Sequence, residues 1–289
     1  MTGSFRLSFV NSGSQSILAV LVLGLGACQT SSEPSDLPPI EPAESAEIRP
    51  EGPSLEDLRN LTQAGSDLNA ALYAMDQASG SFEIEPNFWH LYGQTSLEYA
   101  RQEEKLGRVD ALEIMYNDAE YAFGKVRQLA PDRIDGYFGH LYSLRMLGDF
   151  EAAWQCAEAA LALGEGSDIP LPLREEIGRT GLALVIESIQ AGQSVPAAAE
   201  IAESQLTLAI QGGLRSATTP FSDLLAWQGR SEEAKNVLIE ALIADPEDAA
   251  LIDRLKNLAP GAALADAWQR IGRNHPDHAL VQWRLGEAL

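Results

Sequence analysis

Four histidines are the residues of this chain best suited to metal binding or acid–base chemistry. His275 and His278 flank a Pro-Asp dipeptide at a spacing that a metal could use. No cluster of cysteines or carboxylates accompanies them in the sequence, so we interpret the pair as the polar start of a helix. His90 and His140 each lie among aromatic residues, which is typical of packed or groove-lining histidines rather than catalytic ones. The sequence therefore predicts no metal site.

Adjacent carboxylates are the other candidates for catalysis, at Glu103-Glu104, Glu175-Glu176 and Glu232-Glu233. Side chains at neighbouring positions of a helix point in different directions, so these pairs are typical of solvated faces rather than of a hydrolase site. The sequence contains no metalloprotease, serine-hydrolase, phosphate-loop or dinucleotide-binding motif. We expect a protein that is not an enzyme and that binds no cofactor.

The N-terminal segment has the pattern of a signal peptide. An apolar run at residues 17–27 follows Arg6 and ends at Cys28. The run is shorter than the ~20 residues that span a bilayer, and it has the length and small-residue ending of a signal peptide. Residues 25–28 (LGAC) resemble a bacterial lipobox, in which the cysteine becomes the acylated first residue. We therefore predict a lipoprotein signal peptide at residues 1–27; an ordinary secretory signal with an incidental Cys28 is the alternative.

The lipobox resemblance also implies where the mature chain is held. It implies three acyl chains on Cys28, and several chains anchor a protein stably in a membrane. Gln29 stands where lipoproteins retained at the inner membrane carry Asp, which favours the outer membrane, facing the periplasm, in a host with two membranes. Residues 28–53 are rich in proline and acidic residues and predict a disordered linker. The folded domain is then residues 54–289.

The charge balance of the chain restricts its partners. The sequence has 42 acidic and 20 basic residues, for a formal net charge of −22. This balance argues against nucleic acid and against anionic membrane surfaces, and it favours protein partners that carry a basic patch. Cys156 has only Cys28 as a possible disulfide partner, so we expect Cys156 to be a buried structural thiol.

Residues 134–163 predict two amphipathic helices joined by a turn at Gly148. Aromatic and small residues share one face of the second helix, as closely packed helices require; they are Phe150, Ala153, Trp154, Ala157, Ala160 and Leu161. The Gly-Asp-aromatic turn and these alanines resemble a tetratricopeptide repeat. Residues 221–248 form a second copy, in which Gly229 takes the place of Gly148 and Ser231 is the predicted N-cap.

The resemblance implies an all-α fold, a right-handed α-solenoid of helix pairs in which the first helix of each pair lines a groove. The N-terminal and central helices are longer than those of the ~34-residue repeat, so we expect divergent pairs there. We find no strand pattern of useful length in the sequence. The remaining predicted helices cover residues 54–77, 86–106, 110–129, 173–190, 196–210, 246–259 and 262–274, and a last one opens at Pro276.

The resemblance implies a scaffold that binds other proteins. It allows roles in outer-membrane assembly, pilus biogenesis or polysaccharide export and does not choose among them. Four residues off the packing stripe are predicted to line the partner-binding groove: His140, Tyr142, Arg145 and Asp223. The alternative is a helical ligand-binding component associated with a solute transport system. A closed cavity between residues 173–190 and 196–210 would favour that alternative.

Overall fold

The computed structural model describes residues 52–63, 66–164 and 169–288. The predicted signal peptide, Cys28 and most of the linker lie outside these residues. Within them the chain forms thirteen α-helices and three short 3-10 segments, with no strand. The α-helices are α1 (Leu55–Leu61), α2 (Leu68–Ala78), α3 (Pro86–Lys105), α4 (Leu112–Leu129), α5 (Ile134–Leu147), α6 (Phe150–Leu163), α7 (Leu171–Gln190), α8 (Pro196–Gln211), α9 (Thr218–Trp227), α10 (Ser231–Ala244), α11 (Ala249–Leu258), α12 (Ala262–Asn274) and α13 (Ala279–Ala288). None of the helices described is long and apolar enough to span a bilayer.

The helices stack as pairs in two layers. Each helix from α3 to α10 contacts the next one in the chain, and the first helices α5, α7 and α9 also contact one another in sequence. Buried side chains between the layers form the core, which includes Leu141, Trp154 and Ile177 in the middle and Trp268 near the end. The predicted α-solenoid of helix pairs is therefore confirmed.

Both predicted turn glycines join their helices in the same way. Gly148 has φ +80° and Gly229 has φ +79°, in the left-handed region that glycine adopts without strain. After each glycine, the next backbone N–H donates to a carbonyl five residues earlier, from Asp149 to Leu144 and from Arg230 to Leu225. The turns are thus built by identical backbone bonds in the two copies. The predicted cap at Ser231 is wrong, because Ser231 is already the first residue of α10 and makes no cap bond.

Three predicted helix boundaries differ from the structure. Residues 54–77 form two helices rather than one, because the Asp67 carboxylate accepts the N–H groups of Asn69 and Ala70 and starts α2. The capping box of Ser54 with Asp57 at the start of α1 is confirmed.

Two prolines do not begin helices as predicted. Pro246 lies in a turn, and α11 begins three residues later, where the Asp248 carboxylate accepts the N–H groups of Ala250 and Leu251. Pro276 likewise precedes α13, which begins at Ala279. In both cases the helix begins three residues after the proline. At α11 the Asp248 cap, and not the proline, determines the start of the helix.

Phe123 of α4 fixes the distance between α3 and α5. Its ring is 2 % exposed and packs against two glycines, Gly93 of α3 and Gly139 of α5. A Cβ atom at Gly93 would lie 2.7 Å from the ring, and one at Gly139 would lie 2.3 Å from it. Any side chain at either position would force the ring or a helix to move. The two glycines thus let the first helices close around one aromatic side chain.

Candidate binding groove

A large cavity lies on the layer of first helices. It has a volume of about 510 Å³ and is bounded by α3, α5 and the start of α7, with Thr62 and Leu68 at one side. We call it the first-helix groove. Phe123 reaches its floor from the second layer.

The floor of the groove is apolar. Leu91, Phe138 and Ile134 are half-buried there, and Leu173 is fully buried. Half-buried apolar side chains around a cavity of this size can take up one or two large apolar side chains of a ligand. The groove is therefore suited to apolar contact, which a partner segment can supply.

A polar network crosses the rim of the groove. His90 Nε2 of α3 lies 3.2 Å from Asp135 Oδ2 of α5, and Arg133 donates both to Asp135 and, at 2.8 Å, to Asn87 Oδ1 of α3. Burial lowers the pKa of His90 below its usual 6.5, against the opposing charge of Asp135. Burial opposes ionisation of Asp135, but the Arg133 hydrogen bond and the His90 charge lower its pKa. The network ties α3 to α5 while leaving no net charge on this rim.

Two neutral polar side chains of the groove lie on α3. Gln94 is exposed and Thr95 is buried, with its hydroxyl donating to the Leu91 carbonyl. Glu98, the carboxylate farther along the helix, pairs with Arg101 at 3.1 Å. Each charged group of the groove therefore already has an opposite charge beside it, and Gln94 is an exposed neutral side chain that can form hydrogen bonds there.

Two of the four predicted groove residues lie together in a second, smaller cavity. Arg145 of α5 and Asp223 of α9 line a cavity of about 200 Å³ that also includes Arg179 of α7. Arg145 pairs with Glu176 of α7, and Asp223 pairs with Arg254 of α11. These pairs join successive first helices. Burial raises the pKa of Asp223 even beside the Arg254 charge.

The other two predicted residues lie elsewhere. His140 is between α4 and α5, and Tyr142 packs against Tyr116, with ring centroids 6.3 Å apart, under the Arg145 guanidinium. Neither residue lines the two cavities on the first-helix layer. His90, interpreted from the sequence as packed or groove-lining, does line the first-helix groove. Gln94, Phe138 and the remaining groove residues were not predicted, because their exposure depends on how far apart α3, α5 and α7 lie.

Comparison with known proteins gives likenesses of fold alone. No family model matches this chain, and no curated protein matches its sequence. The solved structures of similar fold include TTC0263, a thermophilic TPR protein in Thermus thermophilus, at 19% identity and a TM-score of 0.42, covering 66% of this chain and 90% of that one. YrrB, a TPR protein with an unusual peptide-binding site, is 16% identical, with a TM-score of 0.43, and the match covers 75% of this chain and 100% of that one. The match to the APC/C hetero-tetramer Cut9–Hcn1 has 14% identity and a TM-score of 0.30, and covers 81% and 48% of the two chains.

At these identities and TM-scores the likenesses carry no argument about function. The fold itself is evident from the helix pairs, the layer of first helices and the matching turns at Gly148 and Gly229. The fold is tetratricopeptide-like. Its longer helices are in the N-terminal and central parts, where α3, α4 and α7 have 20, 18 and 20 residues.

The ligand-binding alternative needs a closed cavity between α7 and α8. In the tetratricopeptide-like stack these two helices pack tightly against each other. A Cβ atom at Gly178 of α7 would lie 2.3 Å from Leu206 of α8, and one at Gly181 would lie 2.6 Å from the Cβ of Ala202. Helices α7 and α8 are therefore in direct contact at the two glycines of α7. The cavity of about 390 Å³ that lies farther along the two helices, beside Ile189 and Pro196, is open to solvent and not closed. This packing does not favour the ligand-binding alternative.

The remaining groups with chemical potential have structural partners. Cys156 is 2 % exposed, and burial raises the pKa of its thiol to about 11, so the nucleophilic thiolate is disfavoured. His275 Nε2 lies 2.7 Å from the Ile243 carbonyl oxygen, and His278 Nε2 lies 3.3 Å from Glu247. Within the described ranges, no three His, Cys, Asp or Glu side chains are grouped so that they could hold a metal ion.

His140 is held in its neutral form between two charged side chains. Arg127 donates to its Nδ1 at 2.6 Å, so its Nε2 carries the hydrogen and donates to Glu120 at 2.9 Å. Protonation would place a second N–H against the Arg127 guanidinium. Burial and the Arg127 charge therefore lower the pKa of His140 below 6.5, although Glu120 opposes the shift.

This arrangement predicts that the protein loses stability as the pH falls below about 6.5. The unfolded chain binds a proton at His140 in that range and the folded chain does not, so the free energy of unfolding decreases by at most ~1.4 kcal/mol per pH unit for this group. His90 adds a loss of the same sign. Urea unfolding of wild type and His140→Gln at pH 7.5 and 5.5 measures the effect, and the variant should lose less. An equal loss in both proteins would contradict the assignment.

Proposed function

We propose that this chain is a lipid-anchored scaffold protein of the bacterial cell envelope, held through Cys28, whose first-helix groove binds a segment of a protein partner. The observation that supports binding is the groove itself, a cavity of about 510 Å³ with an apolar floor. Grooves on the first helices of helical-repeat proteins bind extended segments or helices. The lipobox-like residues 25–28 support the anchor.

The chemistry of the groove indicates what the segment must offer. The rim charges are paired, so a strongly charged segment would have to displace existing partners. The half-buried Leu91 and Phe138 favour apolar side chains, and the exposed Gln94 amide can donate to and accept from a peptide backbone. The partner segment is therefore largely uncharged and carries one or two large apolar side chains. The protein acts without catalysis.

Site-specific photo-crosslinking in cells tests this function. A photoreactive phenylalanine analogue at Gln94 should yield a crosslinked protein adduct, because this exposed side chain lines the groove. The matched control position is Gln155, which is exposed on α6, a second helix outside the groove. No adduct, or adducts of equal yield at both positions, would contradict the proposal. A lipid or metabolite crosslinked at Gln94 would support the ligand-binding alternative instead.

A further inference from the structure

Another cavity lies on the other layer, away from the first-helix groove and from the small cavity beside Arg145. It has a volume of about 470 Å³ and separates the second helices α8 and α10, with the starts of α9 and α11 at its base. We call it the second-helix cleft. Its walls include Ile210 of α8, Phe221 of α9 and Val237 and Ala241 of α10, all of which are half-buried.

The walls of the cleft are largely apolar. A cavity this large, with bulky apolar groups on three helices, can enclose one aromatic or branched side chain of a ligand. Burial of such a side chain removes apolar surface from water on both partners. Leu251 of α11 closes the base and is fully buried. The cleft therefore has a binding floor of its own, with no residue shared with the first-helix groove.

The electrostatic environment of the cleft is negative. Three acidic residues, Glu240, Asp245 and Asp248, line it with one basic residue, Arg215, and Glu240 also pairs with Arg270 at 3.3 Å. The acidic residues therefore exceed the basic ones by one. The Arg215–Asp245 pair spans 2.7 Å, but the side chains are 63% and 40% exposed, so solvent screens the pair and its partners can exchange. Helices α8 and α10 both end beside the cleft, and the C-terminal carbonyls of helices favour positive charge.

We propose that the second-helix cleft binds a protein segment in which one large apolar side chain lies within a few residues of a lysine or arginine. The apolar side chain occupies the space between Val237 and Phe221. The basic side chain meets Asp245 and the carbonyl end of α10. The formal charge of −22 steers such a segment towards this protein at low salt and disfavours acidic competitors.

Panning a phage library of random twelve-residue peptides on the purified protein tests the proposal. Enriched peptides should contain an aromatic or branched apolar residue close to Lys or Arg. Their affinity should fall when salt is raised from about 0.15 M to about 1 M, because the screening length shrinks from ~8 Å to ~3 Å.

Two substitutions on α10 assign the site. Val237→Glu places a charge on the apolar wall and should weaken the enriched peptides about tenfold or more. Ser231→Glu adds the same charge in the first turn of α10, outside the cleft, where it favours the helix, and should leave binding unchanged. Circular dichroism and thermal unfolding establish that both variants fold.

Each other outcome would overturn the proposal. These outcomes are the absence of enriched peptides, the absence of basic residues from all enriched peptides, and binding of the basic peptides that survives Val237→Glu. Self-association that Val237→Glu abolishes would instead assign the cleft to a second copy of the chain. Because the crosslinking at Gln94 reports on a different layer, failure of either test leaves the other proposal standing.

Discussion

Replacing Phe123 by alanine is expected to lower the free energy of unfolding by ~3–5 kcal/mol, the cost of removing a buried phenylalanine and leaving a cavity. The ring is 2 % exposed and occupies the space left by Gly93 and Gly139, which cannot close in without moving α3 and α5. The loss of stability should be near the upper end of that range, because the backbones of α3 and α5 both lose their packing contact with the ring. Urea unfolding followed by circular dichroism measures it.

Ile114→Ala is the matched control on the same helix. Ile114 is 59% exposed, so its truncation should change the free energy of unfolding by no more than ~0.5 kcal/mol. If Phe123→Ala does not fold, Phe123→Leu retains part of the packing and keeps the comparison measurable. Equal stability of the Phe123 and Ile114 variants would show that the ring does not hold the two helices. The same variants should also lose the Gln94 crosslink in proportion to their loss of folding.

Replacing Cys28 by alanine is expected to abolish incorporation of labelled palmitate. The lipobox-like segment is predicted to be cut before this residue, and the Cys28 thiol is predicted to carry the first lipid. One acyl chain gives only marginal, reversible binding, whereas several give a stable anchor, so removal of the acceptor should also shift the protein from the membrane fraction towards the soluble one. Mass spectrometry of the wild-type protein should find residue 28 at the mature N-terminus.

Cys156→Ser is the control for this experiment. Cys156 is buried within the fold and its thiol pKa is raised to about 11, so it should carry no label, and the variant should be labelled like wild type. Label retained in Cys28→Ala, or a mature chain with an unmodified Cys28, would contradict lipidation and leave the ordinary secretory signal. Loss of the anchor leaves the binding proposals unaffected, since they concern the folded domain.

The helix pairs were predictable because their signals are local. Gly148 and Gly229 indicate left-handed turns, and the alanines after Gly148 indicate a close-packed face. The boundaries at Pro246 and Pro276 were mispredicted because proline permits a helix start without requiring one, and capping by Asp248 decides the first of them.

The groove was not predictable from single helices. Phe138 and Gln94 line it only because α3, α5 and α7 lie at particular distances, and those distances depend on the fit of Phe123 between two glycines. Arg145 and Asp223 were selected as polar residues off the packing stripe, and the structure joins them to neighbouring first helices as ion pairs. Polarity alone does not distinguish a residue that bridges helices from one that contacts a partner.

The ion pairs between successive first helices have a mechanical consequence. Arg145 with Glu176 and Arg254 with Asp223 link neighbouring hairpins on one layer, and the Arg133 network does the same farther towards the N-terminus. In a stack where each unit touches only its neighbours, such links resist stretching on their own side. The array should therefore bend more easily in the direction that brings the first helices closer together than in the direction that moves them apart.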